Sequence, residues 1–200
     1  MHLLLITALP AWLTYAFYAL VAWGVAAVLA AFRALSTGTR MSVLLRLGFG
    51  VWLVVPAYLA NAGVLSQFDA MPPMLVRVVV PMVVLIVTFS FSRAGAWAAE
   101  RLPFGLLIAV QIFRLPLEVL LHQLHGHRVL PVQMTFAGLN FDILTGASAL
   151  VLWVLHRRGG VSPSVLRMWN TIGLALLVTI VTLAVLSFPK PFGLFTPQNQ

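Results

Sequence analysis

Between residues 10 and 35 the chain carries one charged side chain, Arg33, and runs of this kind recur to the end of the sequence. About 20 apolar residues in helical form, rising 1.5 Å each, match the ~30 Å hydrocarbon core of a bilayer. Lipid offers the backbone no hydrogen-bond partners, so such runs admit helices and little else. Composition points the same way, since 62% of the 200 residues are hydrophobic and 8% charged. Water-soluble domains carry about a quarter charged residues. The expected fold is an all-α integral membrane protein, a bundle of six transmembrane helices with short loops in one domain of residues 1–200.

The breakers place the spans at about 10–35, 42–65, 74–91, 103–124, 140–156 and 164–188. A polar turn separates the first two, and the paired prolines Pro72 and Pro73 end a loop before the third. Residues 92–101 read as a short interfacial helix. The fifth span is near the lower length limit for crossing, so its start is expected a few residues earlier. Ala22, Ala26, Ala30 and Ala34 form a small-residue ridge suited to close helix packing. Residues 1–7 lack the basic start of a signal peptide, so a retained first helix is expected.

The formal net charge is +8. A nucleic-acid surface would gather those charges on one exposed face; here they sit singly or in pairs between apolar runs, which is how loops orient membrane proteins. With the first connection inside, the inner side holds Arg33, Arg40, Arg46, Arg93, Arg101, Arg157, Arg158 and Arg167, and the outer side Arg77, Arg128 and Lys190. This bias puts both termini outside, in a bacterial-type inner or plasma membrane. Trp97, Trp153 and Trp169 then fall at the inner interface and Trp12 at the outer one.

One span is not apolar throughout. Gln111, Arg114, Glu118, His122 and His125 follow at steps of three or four and share one helix face. Counted from the inner end, Arg114 lies ~16 Å along the helix and Glu118 ~22 Å, with the histidines at the outer mouth. A charge at mid-membrane costs at least ~2.5 kcal/mol, so Arg114 and Glu118 need partners or water. Four residues apart, they can offset one another, although Arg before Glu is the weaker order on a helix. Pro116 between them frees a backbone carbonyl for Arg114 or water.

A second polar concentration runs from 132 to 142 on the same outer side. Asn140 suits a helix cap and Asp142 the positive end of the fifth helix. Asp142 also suits a pairing with Arg114 or a histidine, and the two roles are compatible. Thr145, Gly146 and Ser148 allow that helix to pack closely on its neighbour.

Three functional readings follow. The first is a small proton-linked permease or channel-like protein with an outward-facing polar cavity between the fourth and fifth helices. In it Arg114 attracts an anionic group, Glu118 carries a proton, and His122 and His125 relay protons outward, as an unperturbed pKa of ~6.5 suits. The second is a membrane-embedded enzyme with Zn or non-haem Fe on Glu118, His122, His125 and His127, with Asp142 as a further carboxylate. The third is a non-catalytic subunit whose strip grips a partner helix or a second copy of the chain. Haem is not expected, because His2 and His156 lie near opposite faces. The absence of cysteine removes thiolate sites, and no nucleophile-elbow or phosphate-loop motif occurs.

Overall fold

The structure is a computed structural model and describes residues 9–35, 40–66 and 74–187. His2, Lys190 and the loop expected at 67–73 lie outside these residues, as does most of the first turn. Among the described residues the regular structure is helical: α1 (Ala11–Ala34), α2 (Arg40–Asn61), α3 (Met74–Ser90), α4 (Arg93–Ala99), α5 (Phe104–Gln111), α6 (Arg114–Gly126), α7 (Asp142–Arg157) and α8 (Pro163–Leu186). Short 3-10 turns lie at Val64–Ser66 and Val132–Met134.

Among the described residues four segments are long and apolar enough to cross a membrane: α1, α2, the α5–α6 pair taken as Phe104–Gly126, and α8. A fifth arises if α3 and α4, bent by 71° at their junction, count as one. Large apolar side chains such as Tyr15, Leu85 and Leu174 stand exposed along these helices, an arrangement compatible with a multi-pass membrane protein and unlike a water-soluble fold. The helix of the expected fifth span, 140–156, lies within two residues of those limits, but the earlier start expected for it is not taken. It begins at Asp142 and not earlier, because the preceding residues close into turns, and its 16 residues reach only about 24 Å.

The chain divides into two compact units, residues 28–103 and residues 1–27 with 104–200. In the first, Ser92 starts α4: its hydroxyl donates to the Phe89 carbonyl at 2.7 Å and accepts from the Gly95 N–H at 3.1 Å. A Cβ on Gly95 would stand 2.2 Å from the Phe89 oxygen, so this turn needs glycine. Phe49 meets Phe32 edge-on at 5.7 Å and stacks on Trp52 at 5.6 Å.

In the second unit α7 packs on both α5 and α6, and α8 packs on α7. Glycines set how near the backbones come. A Cβ on Gly146 would lie 2.6 Å from the Leu115 nitrogen and 3.1 Å from the Arg114 carbonyl carbon. Gly173 of α8 meets the Thr145 methyl in the same way, at 3.1 Å. Gly105 faces His156, Leu115 faces Gly146 and Glu118 faces Asn140, so α7 runs antiparallel to the α5–α6 rod. The close packing expected of Thr145 and Gly146 is present; Ser148 instead accepts a 2.8 Å bond from the Trp169 indole.

The rod breaks at Ile112 and Phe113, and Pro116 is the cause. It has no N–H to give the Ile112 carbonyl four residues back, and its ring crowds that oxygen. The chain tightens, and the Leu115 N–H takes the carbonyl at 3.1 Å. That carbonyl is therefore not left for Arg114 or water, contrary to the expectation from sequence.

Candidate functional site

The break leaves Gln111 at the end of α5 and Arg114 at the start of α6, with Asp142 opposite at the start of α7. Arg114 Nη1 donates to both oxygens of Asp142, and its Nε donates to Gln111 Oε1 at 2.7 Å. Both members of the ion pair are buried, Arg114 at 8% exposure and Asp142 at 4%. Such a pair is held by hydrogen bonding as much as by charge, since each desolvated ion costs several kcal/mol unless fully partnered. Of the two pairings sequence allowed Arg114, the structure forms the one with Asp142.

Glu118 is 1% exposed and turns to a different partner. Asn140 Nδ2 donates to its Oε1 at 2.8 Å and its Oε2 at 2.7 Å, and to the Met134 carbonyl at 3.1 Å. The amide orientation is fixed from behind, because Asn140 Oδ1 accepts from the Asp142 N–H at 3.1 Å. The N-cap position itself is Phe141, without a side-chain cap; Asn140, one residue earlier, satisfies the first N–H of α7 and serves the strip together. Among the described residues no cation lies within ion-pair reach of Glu118. Arg114 forms no ion pair with Glu118, because Asp142 has taken the guanidinium, but its charge still acts on Glu118 through space.

Asn140 is held by the segment before it. Thr135 is fully buried; its hydroxyl donates to the Val132 carbonyl at 2.9 Å and accepts from the Ala137 N–H at 3.2 Å. Its carbonyl accepts from the N–H groups of Gly138 at 2.9 Å and Asn140 at 3.3 Å. A Cβ on Gly138 would fall 2.3 Å from the Val132 oxygen, so only glycine permits this closure. Sequence marks the 132–142 stretch but gives Thr135 no role, since a lone threonine in a loop carries no signal of burial.

The histidines are more loosely tied. His122 stacks on Phe136 with ring centres 4.5 Å apart, and its Nδ1 is buried without a partner among the described residues. His125 Nδ1 lies 3.0 Å from the Leu130 carbonyl, and the two imidazole centres are 6.4 Å apart. His127 caps the end of α6 and is exposed. Among the described residues no three His, Asp or Glu side chains are grouped to hold a metal ion. Of the proposed ligands, Glu118 faces Asn140 and His125 faces a carbonyl, which leaves Glu118, His122, His125 and His127 unconverged.

A cleft of about 120 Å³ opens at the other end of the strip. Gln111, Arg114 and Thr145 line one side and Trp169, Asn170 and Gly173 of α8 the other. Sequence places the cavity between the fourth and fifth helices near the histidines. In the structure this cleft lies beside Arg114 and takes its far wall from α8. Asn170 is a second residue that sequence reasoning missed; the available signal was one amide on α8, one turn before Gly173.

Among the described residues, fold and site together are all-helical, compatible with several membrane crossings, and built round a buried ion pair and a buried carboxylate–amide pair. Comparisons with protein-family models, with curated proteins and with solved structures found no match to this chain.

Proposed function

We propose that the chain is an integral membrane protein with six spans and both termini outside, and that it works as a small proton-linked permease or channel-like protein. In the six-span count α7 crosses with the turns that precede it. One observation carries the reading: a carboxylate at 1% exposure, Glu118, in a span-length helix, bonded by an amide and facing no cation among the described residues. Intramembrane ionisable groups mark ion and proton paths more often than they serve packing alone. Arg114 is already neutralised by Asp142, so this reading keeps the proton and gives up the anionic substrate expected for Arg114. Glu118 holds the proton. His122 and His125 stand between it and the outer face, with ring centres 6.4 Å apart, a gap that one bridging water would span.

The test is proton flux. Proteoliposomes holding the wild-type chain and a pH-sensitive dye should equilibrate an imposed proton gradient, and Glu118→Gln should slow this at least about tenfold while the helical content stays unchanged. Equal flux in both, or none in the wild type, would end the proposal.

A further inference from the structure

The cleft beside Arg114 is a set of donors without acceptors. Gln111 Oε1 is taken by Arg114 Nε, which leaves the amide nitrogen. Arg114 Nη1 is taken by Asp142, which leaves Nη2. Thr145 is 5% exposed, and neither its hydroxyl nor the Asn170 amide has a hydrogen-bond partner among the described residues. Four polar side chains therefore line one small space with bonds left to make. Arg114 and Thr145 are buried, Gln111 is half-buried and Asn170 is exposed, so the space is open on the Asn170 side and presents donors to an acceptor that enters it.

The remaining walls narrow the chemistry of the occupant. Asp142 cancels the charge of Arg114, so the cleft attracts an anion weakly. Trp169 lines the cleft with its indole N–H already given to Ser148, and Leu174 and Leu177 continue the wall in apolar form along α8. The volume is near the ~150 Å³ of a cavity that takes a benzene ring. From these features we infer that the cleft binds the head of a neutral, lipid-soluble carbonyl compound of the quinone class. Its ring lies on Trp169, one carbonyl oxygen accepts from Arg114 Nη2 and Thr145, and its tail leaves over Leu174 and Leu177. This rests on the membrane placement proposed above and on no movement of protons.

The test is equilibrium binding in nanodiscs without a gradient, so its failure and the failure of proton flux are separate results. Decylubiquinone is the probe and decanoate the anionic control. Binding is read as quenching assigned to Trp169 by difference from Trp169→Phe. Decylubiquinone should quench saturably, and Thr145→Val and Asn170→Leu should each weaken it about 5- to 10-fold, the worth of one neutral hydrogen bond. Decanoate should not compete. Thermal unfolding of each variant at the wild-type midpoint would show that a lost site is not a lost fold. Quenching that does not saturate, variants that bind like the wild type, or decanoate binding as tightly as the quinone would each overturn the inference.

Discussion

Replacing Asp142 by alanine should cost about 3–5 kcal/mol of stability, because it strands the Arg114 guanidinium in a site with 8% exposure. The loss reaches beyond one ion. Asp142 is the first residue of α7, and the same turn carries Gly146, whose backbone contact with Leu115 joins the helices. Arg114→Met should cost a similar amount by stranding the carboxylate. The double variant should be more stable than the two losses summed, since no uncompensated charge then remains, with a coupling on the order of 1–3 kcal/mol. Equilibrium unfolding of the four proteins in one bilayer-mimetic medium gives the cycle. Additive losses would mean that the pair is not an energetic unit.

The second large effect belongs to Asn140. Leucine there removes the donor to both Glu118 oxygens, the donor to the Met134 carbonyl and the acceptor for the Asp142 N–H. A buried group left unsatisfied costs roughly 1–3 kcal/mol, and more when it is charged, so about 3 kcal/mol or more is expected. Asn140→Asp separates the roles. Aspartate keeps the acceptor for the first N–H of α7 but sets a second acid against Glu118 in place of a donor. If accepting that N–H were the whole role of Asn140, this variant would unfold like the wild type; as the partner of Glu118, it should be at least as damaged as the leucine variant. Thermal unfolding of the two variants decides between these.

Much of the helical framework is legible from the apolar runs. α1, α3 and α8 start and end within about two residues of their expected limits, because the lengths of those runs and the breakers between them leave little choice. The short helix at Arg93–Ala99 is legible too, from its polar start at Ser92. The helix of the fifth span also falls within two residues of its expected limits; what is not legible is that it starts no earlier, since the residues before Asp142 are apolar enough to extend a helix and only the folded turns around Thr135 and Gly138 show that they do not.

The site is legible in its members and not in its pairings. Steps of three and four along one helix bring Gln111, Arg114, Glu118 and His122 together, and a polar loop end brings Asn140 and Asp142. Spacing along one helix favours Arg114 with Glu118. The partner was decided across helices, by how closely Gly146 lets α7 approach, and a glycine in a sequence does not say what it faces. Asn170 was hidden for a related reason: its place beside Arg114 depends on Thr145 and Gly173 meeting at the α7–α8 crossing.

The central claim is that Glu118 exchanges a proton while the ion pair beside it does not. Infrared difference spectroscopy of the reconstituted protein, with the outer pH stepped through the histidine range, tests it most directly. The account predicts a carboxylic-acid carbonyl band that appears and vanishes with the step, is absent in Glu118→Gln, and persists in Asp142→Asn. A carboxyl spectrum that does not respond to pH, or a responding band lost in Asp142→Asn and kept in Glu118→Gln, would contradict it.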